Sequence, residues 1–151
     1  RPCIVLDSLG SPMRTRDILL FQGDSLCVLV NHHPSKLGDP SRRGVAMARM
    51  LAVRDSLQAA GCRHILAVGD FNDNLWGPFE QGTIKYNGRW DKIDGHFAWG
   101  LNVSERVYAA PHLLIPDRAY GGQKPFRTWV GPRPQGGTSD HLPIVLRVEY
   151  R

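Results

Sequence analysis

The sequence predicts an α/β fold in a single domain over residues 1–151. Two apolar runs flank a turn near the start of the chain, an alanine-rich segment with helical spacing follows, and another apolar run comes directly after it. The resulting strand–helix–strand order favours neighbouring parallel strands. A chain of 151 residues with 42% hydrophobic and 22% charged residues is long enough to bury a core and has the composition of a globular protein.

The first two runs, 17–21 and 26–30, predict a β-hairpin. Residues 22–25 between them include a Gly-Asp pair, which supplies turn chemistry. The second run leads directly into a polar segment, 31–36, which contains His32 and His33.

A helix is predicted over residues 41–60. Ser41 is the predicted N-cap, and Gly61 is the predicted residue just past the helix end. The apolar positions fall mostly at helical spacing: Val45, Met47, Met50, Leu51, Val53 and Leu57.

The remaining chain predicts three further strands and a poorly ordered stretch. The run 65–68 is a buried strand, 91–97 a weaker one and 142–150 a strong one, while 100–137 is rich in Gly and Pro. A short buried piece is expected within that stretch at 113–115. The sequence contains no repeat, linker or low-complexity tract.

Charge and cysteine content restrict the partners and compartment. The net charge of +5 suits a phosphorylated or polyanionic partner, although a solvated basic surface accounts for it equally well. Cys3, Cys27 and Cys62 are an odd set without C-x-x-C spacing, which argues against a zinc site and a disulfide framework. Cys27 lies inside an apolar run and is expected to pack in the core. The apolar runs of this sequence are far shorter than the ~20 residues that a membrane-spanning helix requires. The chain begins at Arg1 without Met, which is compatible with a removed leader.

Two polar motifs adjoin apolar runs and carry the predicted chemistry. In Gly-Asp-Phe-Asn-Asp (69–73), Asp70 and Asn72 point the same way if strand geometry continues, and Asp73 points to the opposite face. A carboxylate can hold or deprotonate water, and an amide can donate to a phosphate oxygen. The alternative is a loop whose Asx turns are purely structural.

The second motif is Ser-Asp-His-Leu-Pro (139–143). In strand geometry Asp140 and His141 point to opposite faces, so each needs another partner. Asp140 suits a hard cation, while His141 needs a carboxylate to fix its tautomer, for which Asp94 is the candidate. A structural histidine is the alternative. Arg16 and Lys36 could bind phosphate, but an isolated cation is usually a solvated surface residue. Three tryptophans could stack on a base or a ring, but packing in the core or at the rim is the favoured role for each: Trp76, Trp90 and Trp129.

Taken in order, four motifs resemble the endonuclease/exonuclease/phosphatase superfamily: Val-Asn-His (30–32), 69–73, Lys-Ile-Asp (92–94) and 139–143. That family includes pancreatic-type deoxyribonucleases, abasic-site endonucleases, sphingomyelinases and inositol-polyphosphate 5-phosphatases. Residues 125–129 and the Gly-rich run before Ser139 also resemble a secreted or cell-envelope bacterial branch. The resemblance implies a two-sheet α/β sandwich of the deoxyribonuclease-like type, with the site at one end.

The resemblance also implies residue roles. Asp70 matches the carboxylate that handles the water or leaving group, and Asn72 matches the phosphate-binding amide. Asp94 matches the acid that orients the catalytic imidazole of His141. Asp140, together with Asp70, is the expected ligand of Mg²⁺ or Mn²⁺.

His32 matches a second phosphate-contacting histidine, and His33 is the less favoured register. The expected function is metal-dependent phosphoester hydrolysis by water attack, with a phosphoester substrate that nucleic acid would satisfy.

The chain departs from the family pattern at its N-terminal side. The segment before Arg16 is too short for the half that carries the family's principal metal-binding Glu. We therefore expect this chain to be the C-terminal portion of a domain whose N-terminal half is joined covalently or after a nick. The other interpretation is a truncated domain, in which one sheet lacks strands and has an unpaired edge. The alternative is a catalytically inactive binding domain that retains the fold. A zinc enzyme is disfavoured because the candidate ligands are rich in oxygen.

Overall fold

The computed structural model describes residues 1–6, 10–74 and 82–151, and it confirms the α/β class. The elements are, in chain order, β1 (Pro2–Cys3), β2 (Ile18–Gln22), β3 (Cys27–His32), α1 (Pro40–Ala59), β4 (Ile65–Asp70), β5 (Ile84–Tyr86), β6 (Arg89–Asp91), β7 (Asp94–Trp99), β8 (Leu101–Val107), a 3-10 turn (Pro111–Leu113), β9 (Leu114–Pro116), β10 (Gln123–Pro125), β11 (Trp129–Val130), β12 (Arg133–Pro134) and β13 (Ile144–Tyr150). Among the described residues, no helix combines the length and apolarity needed to cross a membrane.

The chain forms two compact units. The first unit comprises residues 1–73, 94–103 and 148–151, and the second comprises 74–93 and 104–147. The expectation of a single domain over residues 1–151 stays a prediction.

The first unit contains a five-stranded sheet in the order β1-β2-β3-β4-β7. β2 and β3 pair antiparallel, which confirms the predicted hairpin, and its turn is closed by a 2.9 Å bond from the Gly23 N–H to the Leu26 carbonyl. β3 and β4 pair parallel on either side of α1 in the sequence, as the strand–helix–strand order predicts. β7 then pairs antiparallel with β4.

The helix begins one residue before the predicted start, and Asp39 rather than Ser41 is its N-cap. The Asp39 carboxylate accepts from the Ser41 N–H at 2.9 Å and from the Ser41 hydroxyl at 2.6 Å. These hydrogen bonds lower the pKa of Asp39. Pro40 takes the first helical position, where its missing N–H costs nothing. Gly61, at φ +91°, lies just past the helix end as predicted.

Two buried stripes form the core of the first unit. The helix buries Ala46, Met50, Val53 and Leu57, which recur at the spacing of one helical face. The hairpin strands bury alternate residues, so that Ile18 and Leu20 are inside. On the opposite face of β2 and β3, Leu19, Phe21 and Val30 remain 52%, 66% and 41% exposed.

A disulfide joins Cys27 in β3 to Cys62, which follows α1. The odd number of cysteines and the lack of C-x-x-C spacing led us to expect no disulfide framework. For the pair Cys27–Cys62 that expectation was wrong. The two residues are 35 positions apart, so only the fold brings them together. Cys3 stays a free thiol.

The described residues of the second unit form three short hairpins: β5 with β6, β9 with β10, and β11 with β12. In the first, Asn87 and Gly88 form the turn with positive φ values of +47° and +79°, as an Asn-Gly hairpin turn requires. The stretch 100–137, expected to be least ordered, contains β8 and the strands β9 to β12. The strand predicted over 142–150 begins at Ile144 and pairs with β8.

Candidate functional site

Three polar residues of the first unit lie side by side at one end of its sheet. His32 is the last residue of β3, Asp70 is the last of β4 and Asp94 is the first of β7. Asp70 is the register partner of both His32 and Asp94. Since directly paired residues of neighbouring strands project to the same face, this register gathers one imidazole and two carboxylates in a row.

A close backbone approach lies just behind this row. Gly69 has φ +133°, and a Cβ at that position would stand 2.0 Å from the Asn31 carbonyl oxygen. Only glycine can occupy such a position, because both the conformation and the space exclude a side chain. The glycine of the 69–73 motif therefore sets how closely β4 approaches β3 at the site.

The Asp70 carboxylate has close polar neighbours. His32 Nε2 lies 3.5 Å from Asp70 Oδ2, with the two side chains 44% and 13% exposed. The Asn72 N–H donates to Asp70 Oδ1 at 2.8 Å, and Asn72 Nδ2 donates to Asp70 Oδ2 at 3.2 Å. These bonds fix the orientation of the carboxylate while its His32 side stays accessible.

Asp70 and Asn72 converge for a different reason than the sequence suggested. Strand geometry stops at Asp70, and Asn72 takes a left-handed conformation with φ +52°. The result is an Asx turn, which was the structural alternative. Asn72 Nδ2 also donates to the His33 carbonyl at 2.9 Å, so both hydrogens of its amide have protein acceptors. The predicted role of Asn72 as a phosphate donor stays a prediction and requires one of these bonds to be exchanged.

The two adjacent histidines occupy opposite environments. His33 is 3% exposed, meets Phe71 edge-on at 5.0 Å between ring centroids and lies 3.4 Å from Asn31 Oδ1 through Nε2. Burial, with a smaller contribution from His32, lowers the pKa of His33 from 6.5 to about 4. His33 is therefore a neutral core residue, whereas His32 lies at the rim beside Asp70. The phosphate-contacting role assigned to His32 stays a prediction.

Asp70 and Asp94 form the acidic part of the row. One carboxylate oxygen of Asp70 lies within 4.8 Å of one carboxylate oxygen of Asp94. Two neighbouring carboxylates at the ends of paired strands suit a hard divalent cation, which prefers oxygen ligands. Asp73 is exposed, and its carboxylate lies 4.0 Å from Arg43 Nε in an ion pair.

In the second unit, the segment with Asp140 and His141 is held by its backbone. The His141 N–H donates to Ser139 Oγ at 3.0 Å, and the Leu142 N–H donates to the Thr83 carbonyl at 2.6 Å. His141 forms an isolated bridge with Ile84 and is half-buried, while Asp140 is exposed. Neither residue belongs to a regular strand, so the expectation that their side chains point to opposite faces, which assumed strand geometry, does not apply. Their predicted roles stay predictions.

The second unit contains a buried ion pair that was not predicted from the sequence. Lys85 Nζ lies 3.0 Å from Asp117 Oδ2, and the two side chains are 5% and 4% exposed. The hydrogen bond from Lys85 lowers the pKa of Asp117. In an isolated Ile-Lys-Tyr strand, alternation suggests that the apolar neighbours face inward and the lysine faces outward. The opposite orientation occurs, and no local signal in the sequence indicates it.

The remaining candidates divide between exposed and half-buried positions. Arg16 and Lys36 are exposed, Trp129 is 58% exposed, and Trp90 is half-buried. Trp76 lies outside the described residues.

Comparison with known proteins identifies likeness at the level of the fold. No family model matches the chain, and no curated protein matches it. A functionally unknown conserved protein from Enterococcus faecalis V583 is 18% identical over 94% of this chain and 58% of that one, with a TM-score of 0.56. An endonuclease/exonuclease/phosphatase family protein from Bacteroides thetaiotaomicron is 15% identical over 82% and 49%, with a TM-score of 0.45.

At 18% identity, the first similarity shows a shared fold and nothing about activity. The overlap with the second protein is too loose to support an argument. The chain spans less than two thirds of the length of either structure.

Proposed function

We propose that this chain carries the catalytic residues of a metal-dependent phosphoester hydrolase. The observation that supports the proposal most directly is the row His32–Asp70–Asp94, in which neighbouring strand ends combine an imidazole with two carboxylates. The order of the four sequence motifs supports it independently, because it assigns Asp140 and His141 to the same site.

The donor set fits Mg²⁺ or Mn²⁺. The nearby carboxylates of Asp70 and Asp94 offer oxygen ligands, and the motif order adds Asp140. When bound, the cation neutralises charge that develops on the phosphate during water attack.

Each residue of the proposed site has a role that its chemistry allows. Asp70, oriented by Asn72, accepts a proton from the attacking water or supplies one to the leaving oxygen. His32 at the rim donates to a non-bridging phosphate oxygen. Asp94 fixes the tautomer of His141, which holds the phosphate or the nucleophile.

The proposal is tested by the hydrolysis of several phosphoesters by one preparation. Plasmid DNA, sphingomyelin, inositol phosphates and bis-p-nitrophenyl phosphate are incubated with the protein and Mg²⁺ or Mn²⁺, with and without EDTA. Asp70→Asn should lower turnover by a factor on the order of 10²–10³, the usual cost of losing one electrostatic group. Asp73→Asn is the matched control, because it removes an exposed carboxylate of the same motif.

Calorimetry separates the hydrolase from an inactive binding domain. The hydrolase takes up Mg²⁺ or Mn²⁺, and Asp70→Asn weakens that uptake. If the protein takes up neither cation and hydrolyses none of the four substrates, the hydrolase proposal is wrong and the binding domain is favoured.

We also propose that an N-terminal segment of the same protein, joined covalently or after a nick, adds to this chain. The exposed apolar residues Leu19, Phe21 and Val30 support this, as they share one face of the sheet. The 58% coverage of the Enterococcus structure, which has additional chain, agrees with it. The native protein should have a mass well above 16.9 kDa under non-denaturing conditions. A native species of 16.9 kDa that is fully active would contradict the proposal.

Secretion or a cell-envelope location is proposed on the resemblance of 125–129 to that bacterial branch. The Cys27–Cys62 disulfide supports it, because such bonds persist in oxidising compartments. Fractionation of the native cells provides the test, and recovery in the cytosol alone would contradict it.

A further inference from the structure

A cleft of about 270 Å³ lies within the second unit, and all of its lining residues belong to that unit. Its lining combines cationic and aromatic groups around one carboxylate: Lys85, Tyr86, Asp117, Tyr120, Lys124 and Arg127. Three cations against one carboxylate give the cleft a net charge of +2. The proposed function uses none of these residues.

The floor of the cleft is rigidly built. The buried Lys85 ammonium donates to the Gly121 carbonyl at 2.7 Å and pairs with Asp117. It thereby ties the loop between β9 and β10 to strand β5. A buried, paired cation of this kind is costly to rearrange, so the loop is held in place before any ligand arrives.

Tyr120, on this loop, presents its ring at the cleft. The ring packs on Gly88, where an added Cβ would stand 2.9 Å from the Tyr120 Cβ. Its hydroxyl donates to Asn87 Oδ1 at 3.4 Å. Although it is held at both ends, Tyr120 remains 59% exposed, and Tyr86 beside it is 65% exposed. A ring that is fixed in place and still exposed is suited to stacking.

Two cations remain available to an anionic group beside these rings. Lys124 lies 3.5 Å from Asp117 Oδ1 and is 37% exposed. The Arg127 guanidinium donates through one terminal nitrogen to the Lys85 carbonyl at 3.2 Å, and it makes no other hydrogen bond to the described residues. A guanidinium has about five N–H donors in a planar fork that fits phosphate oxygens.

We propose that this cleft binds an unpaired nucleotide of a single-stranded nucleic acid, with the base stacked on Tyr120 and the phosphate held by Lys124 and Arg127. Cations that follow the backbone and aromatic rings that stack with bases are the two components of single-strand recognition. As an assignment of substrate class, this inference rests on the proposed hydrolase function. As a binding site, it is measured without turnover.

The test is the fluorescence anisotropy of a labelled eight-nucleotide oligo(dT), titrated with the full chain in EDTA so that no hydrolysis occurs. Tyr120→Leu should weaken binding by on the order of tenfold, because it removes one stacking platform. Tyr120→Phe keeps the ring and should bind almost as well as the wild type. Tyr150→Leu is the matched control, since Tyr150 is 56% exposed and lies in the first unit.

The phosphate contact has its own pair of variants. Lys124→Gln should weaken binding and make the slope of log affinity against log salt about 0.7 shallower, as expected when one single-strand phosphate contact is lost. Arg118→Gln removes the same charge from an exposed position of the loop between β9 and β10 and should change both quantities less. Equal effects of the two substitutions would show that only the overall positive charge attracts the oligonucleotide, and this would overturn the proposal.

Competitors identify what the cleft recognises. Thymidine monophosphate should displace the labelled oligonucleotide at concentrations at which inorganic phosphate and inositol phosphates do not. Equal displacement by inorganic phosphate, or equal effects of Tyr120→Leu and Tyr150→Leu, would overturn the nucleotide assignment. A duplex that binds as tightly as the single strand would do the same.

The two proposals fail in different ways. Tyr120-dependent binding together with no hydrolysis of any phosphoester contradicts the proposed function and leaves the nucleotide site intact. Hydrolysis of non-nucleotide phosphoesters together with no oligonucleotide binding contradicts the nucleotide site and leaves the hydrolase intact.

Discussion

Asp70 Oδ2 lies 3.5 Å from His32 Nε2, and the two residues are register partners at the ends of parallel strands β4 and β3. The same carboxylate receives two hydrogen bonds from Asn72. Asp70 is thus oriented from one side by a buried amide and faces a half-exposed imidazole on another.

Removal of the Asn72 side chain should release the Asp70 carboxylate. Asn72→Gly keeps the left-handed conformation accessible, so its effect reports the lost side-chain bonds to Asp70 and to the His33 carbonyl. We expect a loss of about 1–3 kcal/mol in the free energy of unfolding, because the buried His33 carbonyl loses a partner. Urea unfolding gives this value, and turnover of the phosphoester substrate should fall in parallel.

Asn72→Ala adds a second cost to the same loss. At φ +52° a Cβ-bearing residue without a polar side chain is strained by about 1 kcal/mol or more. Asn72→Ala should therefore be less stable than Asn72→Gly. Equal stability of the two variants would contradict the left-handed conformation at this position.

Substitution of the two histidines should have opposite consequences. His32→Gln should reduce turnover and leave the free energy of unfolding nearly unchanged, because His32 lies at the rim beside Asp70. His33→Gln should reduce stability, because His33 is buried against Phe71. Turnover assays and urea unfolding of both variants check this. If His33→Gln is stable but inactive and His32→Gln is fully active, the register of the Val-Asn-His motif has been assigned wrongly.

Acidification should destabilise the protein through His33. Its folded pKa is about 4 against an ordinary value of 6.5, because burial disfavours the charged imidazole. Well above pH 6.5 this residue is neutral in both the folded and the unfolded state, and its contribution to stability is fully present. As the pH falls toward 4, the unfolded chain takes up the proton first, so stability is lost, by at most about 3 kcal/mol.

The measurement is the free energy of unfolding between pH 7.5 and 4 for the wild type and for His33→Gln. Other groups titrate in the same range, so the prediction concerns the difference between the two curves. That difference should shrink as the pH falls from 6.5 to 4. Parallel curves would show that His33 does not titrate with a lowered pKa.

The sequence pattern predicted the longer elements of the first unit, because each of them extends over many residues; the two-residue strand β1 was not predicted. The hairpin, the helix and the parallel strand each extend over enough residues for periodicity to be read, and Gly61 marks the helix end as expected. The helix start differs because Asp39 and Ser41 are both good capping residues, and Pro40 at the first helical position decides between them. The α/β class follows from these elements alone.

The second unit was predicted poorly, since its strands are two or three residues long outside β8 and β13. A strand of three residues contains barely one alternation, and Lys85 faces inward because Asp117 is there to pair with it. That partner is 32 positions away along the sequence. The same limit explains Cys27–Cys62, since neither a pair nor its distance can be read from a local window.

The disulfide makes a direct prediction about thiol reactivity. The folded, unreduced protein should expose at most one reactive thiol, that of Cys3, and the unfolded, reduced protein should expose three. Alkylation followed by mass measurement counts them. Cys62→Ser should lower the free energy of unfolding by about 2–4 kcal/mol in oxidising buffer, because the unfolded chain loses its cross-link.

The same substitution should have a much smaller effect in reducing buffer, where the wild type has already lost the bond. Cys3→Ser is the matched control and should not depend on the redox condition. Three reactive thiols in the folded, unreduced protein would contradict the pairing of Cys27 with Cys62.

Gly69→Ala should disturb the proposed site by pushing strands β3 and β4 apart next to Asp70. The added methyl group would stand 2.0 Å from the Asn31 carbonyl oxygen at a φ of +133°, so β4 must move away from β3 at the register pair Gly69–Asn31. Because Asp70 is the next residue, this displacement separates it from His32, and turnover should fall together with stability.

Gly61→Ala is the informative control: it is also strained, at φ +91°, but a Cβ there meets no atom within 4 Å. Gly61→Ala should therefore cost stability alone, and equal loss of turnover per unit of stability in the two variants would show that the spacing of β3 and β4 does not matter to the chemistry.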